Sequence, residues 1–292
     1  MNITIGIGLA FVAMLCWGFG DFLIQKSTRK MGDWETLFII ALFGAIVLLP
    51  FVWRDLPDLF IKNGDRLLVL SITSVVLLLA ALFDFDALKK GKLSVVEPIW
   101  SFEVPAAALL AFFILGEKIS TLQIVLIVFL IVCFILIAFK EKTFSKKFFM
   151  EKGVILAFIG AILMGGANFF MGWGGRISDP LMVNFFTDVF IMIVTGAYLL
   201  LIGKFRSTFI DFKKQYKIML PMSISDKAAW IAFVFSMSLV PIAVATALSE
   251  SYIIIAVLLG LIINRERLQT HQKFGLIGAI ITVIILILIT AN

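Results

Sequence analysis

Charge is scarce in this chain. Of its 292 residues only 15% are charged, where a soluble domain carries about 25%. It holds one histidine and two cysteines, too few for a zinc or haem centre built from those side chains. The histidine, His271, lies in a polar stretch and reads as an interfacial residue. Cys16 and Cys133 both fall inside apolar runs, so they read as small core hydrophobes and exclude a secreted disulfide framework. No metal or cofactor is expected. A basic leader is lacking too: Met1-Asn2-Ile3 opens straight into apolar sequence, as an uncleaved membrane helix does and a signal peptide does not. Segments of ~10 residues with alternating polarity are missing, which excludes a membrane β-barrel.

What the chain has in excess is apolar length. The apolar share is 62%, against roughly 45–50% for a soluble domain. At about 1.5 Å per residue, ~20 apolar residues cross a ~30 Å hydrocarbon core. Breaking the sequence at charge clusters and prolines predicts ten membrane helices, over 3–25, 34–53, 66–88, 93–115, 121–139, 153–174, 180–203, 217–238, 241–263 and 273–291. The expected molecule is an all-α, multi-pass integral protein of the cell membrane, with the lipid bilayer as its surrounding partner. A net charge of +6 does not indicate nucleic acid, because the basic residues sit in short loops between apolar runs, as topology signals do.

Near the middle, Lys140-Glu141-Lys142-Thr143-Phe144-Ser145-Lys146-Lys147 is the longest polar interruption. It separates two copies of one unit. Glu117-Lys118-Ile119-Ser120-Thr121-Leu122-Gln123 recurs 149 residues later as Glu266-Arg267-Leu268-Gln269-Thr270-His271-Gln272. That offset lays the fourth predicted helix on the ninth and the fifth on the tenth without a gap. Residues 1–140 form the first five-helix repeat, 141–152 a polar linker, and 153–292 the second repeat. A unit with an odd number of crossings ends on the side opposite its start. The second copy is therefore expected upside down, as in secondary transporters that alternate access around a midplane site.

With Trp17-Gly18 in the first helix, Pro105 twelve residues before Glu117, and the Glu-base-aliphatic signature after helices four and nine, the chain resembles the drug/metabolite transporter superfamily, specifically its ten-helix EamA-like permeases. The resemblance implies a ten-helix inverted-repeat fold and movement of small metabolites through a central cavity, by exchange or an ion gradient. It also implies cytoplasmic termini, whereas the basic residues concentrate after odd-numbered helices and by the positive-inside rule place both termini outside. The second half departs from the pattern: Ile254 stands at the repeat position of Pro105, and Gly166 and Ala167 stand near those of Trp17 and Gly18.

Intramembrane carboxylates carry the strongest functional signal, since each costs of order 2.5–3.5 kcal/mol at a helix centre and must face a cavity or a partner. Glu103 lies ~15 Å into the fourth helix and Glu250 ~13 Å into the ninth. They are the expected substrate carboxylates and proton-coupling groups; the structural alternative is a pair bonded to Ser101, Ser249 or Ser251. Pro98 and Pro105 predict a kinked fourth helix that turns backbone carbonyls toward the cavity beside Glu97 and Trp100. Trp17, Asp21, Asn168, Trp230 and Tyr252 complete the expected substrate-binding set. Lower in rank come Asp84, Asp86, Asp188 and Asp226, with Lys227 as the lone base within a span. The glycines of the sixth helix, Gly160 to Gly175, read as a close-packing face.

A different chemistry is also encoded. Gly18-Phe19-Gly20-Asp21 has the GxGD form, and Asp84 or Asp86 could supply the second carboxylate of an intramembrane aspartyl protease. The reversed order of the two motifs and the missing Pro-Ala-Leu segment weigh against it. The sequence is read as a non-enzymatic secondary transporter of a small polar metabolite (amino acid, amine or sugar-like). Protons are a candidate coupling partner, and no oligomeric state is implied. Its cavity is expected between helices one, three, four, six, eight and nine.

Overall fold

The computed structural model describes residues 2–62, 64–90, 99–138, 152–255 and 268–291. Every regular element among the described residues is a helix. In chain order they are α1 (Asn2–Met31), α2 (Asp33–Val52), α3 (Leu56–Lys62), α4 (Gly64–Lys90), α5 (Glu103–Leu115) and α6 (Thr121–Ala138). The second half supplies α7 (Lys152–Ile177), α8 (Pro180–Leu201), α9 (Phe205–Leu239), α10 (Ile242–Ser249) and α11 (Thr270–Ala291). Seven of these, α1, α2, α4, α7, α8, α9 and α11, are long and apolar enough to cross a membrane, and Glu103–Leu115, Thr121–Ile137 and Ile242–Ile255 are shorter apolar helices.

Most of these helices are apolar on every face, which is what a helix packed between lipid and a protein interior requires. Phe113, Leu201 and Phe274 point outward and are exposed, whereas Ala10, Ala80, Ala161 and Ala243 are wholly buried. Small residues let backbones meet inside. A Cβ built on Gly165 of α7 would lie 2.5 Å from the Ala106 Cβ and 2.7 Å from the Glu103 carbonyl, so that glycine is what allows α7 to touch α5.

The packing partners repeat between the halves. α1 packs on α9 as α4 packs on α7, and α10 packs on α1 as α5 packs on α7; α2 pairs with α8, and α6 with α11. The last pair runs antiparallel. Gln123 Nε2 at the start of α6 donates to Thr290 Oγ1 at the end of α11, at 3.2 Å, and Gln272 Nε2 at the start of α11 donates to the Ile137 carbonyl at the end of α6, at 2.8 Å. Both glutamines belong to the repeated signature, so its two copies lie at opposite ends of the bundle.

The signature also has a local task. Ser120 and Gln123 cap each other's backbone N–H at 2.9 and 3.2 Å, opening α6, and Gln272 accepts from the Gln269 N–H at 3.0 Å in the second copy. Glu117 accepts from the Ile242 N–H at 3.0 Å, just after Pro241, and pairs with Arg176 at 2.7 Å. Arg176 in turn donates to the carbonyls of Met237 and Val240, at 2.7 and 3.0 Å. One carboxylate and one guanidinium thereby tie the ends of α5, α7 and α9 to the start of α10. Glu266 and Arg267 lie outside the described residues. At the other end of the bundle, Lys204 pairs with Glu35 at 3.0 Å and Lys89 with Asp33 at 3.2 Å.

Two expected helices prove interrupted. Helical bonding breaks at Ser101–Phe102 and again at Glu250–Ser251, positions 149 residues apart. Pro105 explains the first break: it has no N–H for the Ser101 carbonyl, which accepts from Val104 instead at 3.3 Å. The second occurs without proline, with Ser251 accepting from Ile254 at 2.9 Å. A further difference concerns Pro221. Expected near a helix start, it lies inside α9, because Phe205 and Phe209 pack on Phe38 with ring centroids 5.4 and 5.9 Å apart and carry the helix outward by more than three extra turns.

Candidate functional site

A cavity of about 110 Å³ runs through the middle of the bundle. Eight chain segments line it: α1 (Trp17, Asp21, Ile24), α2 (Leu37, Ile40, Ala41), α4 (Leu77, Ala81, Asp84, Phe85, Leu88), Trp100 with Glu103, α7 (Met164, Asn168, Met171), α8 (Asn184, Thr187, Asp188, Ile191), α9 (Asp226, Lys227, Trp230), and Glu250 with Tyr252. The sequence-based reading named six helices around the cavity; α2 and α8 also border it. α6 and α11 contribute no side chain among the described residues.

Of the expected substrate-binding residues, Trp17, Asp21, Trp100, Glu103, Asn168, Trp230, Glu250 and Tyr252 all line this one cavity. Glu97 lies outside the described residues, as does Pro98. The two interruptions of helical bonding coincide with Glu103 and Glu250. Each sits at an interruption where helical geometry ends, which turns local backbone and side chain inward together. Glu103 and Glu250 are 5% and 4% exposed. Glu103 Oε2 accepts from Asn168 Nδ2 at 3.0 Å, a bond between α5 and α7 buried in the interior. The Ser249 and Ser251 hydroxyls donate to the Ala10 carbonyl at 3.4 Å and the Ala247 carbonyl at 2.8 Å.

The cavity is acid-rich. Asp21, Asp84, Glu103, Asp188, Asp226 and Glu250 face it together with a single base among the described residues, Lys227. Lys227 is already engaged: its Nζ lies 2.7 Å from each carboxylate oxygen of Asp188, and both side chains are less than one-tenth exposed. Glycines make room for these groups. A Cβ on Gly44 of α2 would collide with the Asp188 carboxylate, and one on Gly160 of α7 with that of Asp84. Asp86, by contrast, pairs with Lys90 at the rim and does not line the cavity.

Aromatic rings form part of the wall. The centroid of Trp17 lies 5.3 Å from that of Trp230 and 5.0 Å from that of Phe233, both edge-on. The exposed Trp53 and the Trp34 stacked on Tyr198 at 4.1 Å stand near helix ends instead, as interfacial aromatics do. The sequence reading missed Asn184 and Thr187. Their signal was available: Asn184, Thr187, Asp188 and Ile191 are spaced i, i+3, i+4 and i+7, one face of an otherwise apolar helix. Among the described residues no cluster of three or more His, Cys, Asp or Glu is arranged to hold a metal ion.

Comparison with known proteins agrees with this architecture. A protein of known crystal structure superposes with a TM-score of 0.75, covering 98% of this chain and 97% of its own length at 12% sequence identity, a likeness of fold alone. No curated protein sequence matches the chain. The EamA-like transporter family matches twice, over residues 4–139 and 151–288, one match to each half. That duplication is the one read from the repeated signature, and a transporter family lends no support to the peptidase alternative. The chain is a multi-pass membrane protein and belongs to the EamA-like transporter family, within the drug/metabolite transporter superfamily.

Proposed function

We propose that this transporter moves a small polar metabolite by alternating access, through ten crossings arranged as two inverted five-helix repeats, with the acid-lined cavity as its solute site. The single observation that carries the reading is the convergence of six carboxylates and one lysine in an interior cavity shared by both halves. Isolated charges in a membrane interior are costly, and a chain retains them where they do work on a solute or ion.

Inversion is supported by the antiparallel pairing of α6 with α11 and by the mirrored set of helix contacts. An even number of crossings is supported by the chain ends. Gly6 packs on Leu239 and Val240, and Thr290 bonds Gln123, both at the end of the bundle that carries Glu117 and Arg176. Two similar halves facing opposite ways can exchange conformations, so that a site between them opens to each side in turn.

Glu103 and Glu250 carry the coupling in this reading. The groups facing Glu103 are Asn168, which bonds it, and the carboxylates of Glu250, Asp84 and Asp21, which lie within electrostatic range. Four acids so placed cannot all be ionised without a counter-cation, so a proton or the solute must supply positive charge. A carrier that returns with protons in place of solute follows from that exchange. Vesicles reconstituted with the protein and given an imposed pH gradient, screened with amines, amino acids and sugars, test it. The wild type is expected to accumulate a solute in response to the gradient. Glu103→Gln and Glu250→Gln are expected to lower the gradient-driven rate by about 10²-fold or more, the scale on which loss of a proton-handling group is felt. Unchanged rate and unchanged proton dependence in both variants contradict the assignment.

A further inference from the structure

We propose that the solute is a small primary amine, bound as its ammonium ion by acceptor oxygens of the cavity and flanked by tryptophan. This deepens the reading above and rests on the cavity being the solute site. Charge is the first argument: six carboxylates face one ammonium, and that ammonium is held by both oxygens of Asp188. An anionic solute would meet no uncommitted cation among the described residues. A zwitterion would bring a carboxylate into the same acid surplus.

The second argument is independent of charge and comes from side-chain amides. Asn168 is 1% exposed and donates its Nδ2 to Glu103, which leaves its Oδ1 without a partner. Asn184, also 1% exposed, donates its Nδ2 to the Pro180 carbonyl, an atom that can only accept, and its Oδ1 is likewise unpartnered. Both residues line the cavity, on α7 and α8 from the second half. The Asp84 carboxylate also lines the cavity, beside the Trp100 indole. A buried acceptor without a donor costs about 1–3 kcal/mol, and an ammonium brings positive charge and N–H donors in one group. A quaternary ammonium carries the charge but no N–H, and an alcohol carries one O–H but no charge. The cavity itself already stabilises one primary ammonium, that of Lys227, which shows the group to be compatible with its walls. Trp17, Trp100 and Trp230 also line the cavity, and indole rings attract alkylammonium groups.

Matched compounds test this by calorimetry on the purified full-length protein, without any need for transport. On one scaffold the probes are 2-phenylethylamine, its trimethylammonium derivative, 2-phenylethanol and phenylalanine; on a second, 1,4-diaminobutane and 1,4-butanediol. Each primary amine is expected to bind at least about tenfold more tightly than its alcohol, the scale of a hydrogen bond to a charged group. 2-Phenylethylamine should also exceed phenylalanine and the trimethylammonium compound by a similar factor. Asn168→Leu and Asn184→Leu, each shown by melting to be folded, should weaken amine binding by about tenfold and leave alcohol binding within about twofold. Equal binding of amine and trimethylammonium compound overturns the donor argument. Failure of both amines to exceed their alcohols, including no binding at all, overturns the proposal. Amine binding without flux in vesicles would leave the solute class standing and remove the carrier reading, whereas flux of a sugar or an anion without amine binding would do the reverse.

Discussion

Single side chains set the character of the interior. Lys227 and Asp188 form an ion pair at 2.7 Å with both groups under one-tenth exposed, so each is tolerated only because the other is present. Lys227→Met leaves a buried carboxylate uncompensated and is expected to lower stability by about 3 kcal/mol, read as a drop in the thermal midpoint of the detergent-solubilised protein. The double variant Lys227→Met, Asp188→Leu, which removes both charges, should recover most of the loss. A single variant as stable as the wild type would show that the pair is not needed. At this scale several charges that interrupt apolar runs were informative, since Glu103, Glu250, Asp21 and Asp188 reach the cavity, whereas Asp86 does not. The sequence was less informative about acceptors. Nothing in the sequence separates Asn184, whose amide oxygen is left unpartnered, from a polar residue satisfied by its own helix, because that depends on which neighbour the amide meets.

Among the elements, the interrupted segments matter most. α5 and α10 begin or end at breaks 149 residues apart, only one of which has a proline to cause it. Pro105 made the first break legible; the second, at Glu250–Ser251, could be read only from the repeat. The entry into α10 depends on Glu117, which accepts from the Ile242 N–H at 3.0 Å and is anchored by Arg176 at 2.7 Å. Glu117→Ala should therefore free that amide. Hydrogen exchange of the peptide spanning residues 241–246 is expected to accelerate by about tenfold, the equivalent of one charge-assisted hydrogen bond. Exchange at the wild-type rate would mean that the start of α10 is held by something other than the signature glutamate. Element boundaries were the least legible feature, as α9 shows: its outer turns, 205–216, are fixed by contacts of Phe205 and Phe209 with the distant Phe38, which no local pattern announces.

On the scale of the whole molecule, the duplication was readable from seven residues, and the antiparallel pairing of α6 and α11 gives it a spatial meaning. The role of α2 in the cavity wall was hidden, because an apolar stretch such as Leu37, Ile40 and Ala41 looks the same against lipid as against a solute path. The central claim is that the cavity between the halves opens to both sides in turn. Ala81, 6% exposed and in the second half of α4, lines that cavity. Replaced by cysteine in a background without Cys16 and Cys133, it can be challenged with a membrane-impermeant thiol reagent added to one side of sealed vesicles or the other. The account predicts modification from either side, at rates that change in opposite directions when a transported solute is added to one of them. Modification from one side only, under every condition tried, would contradict it.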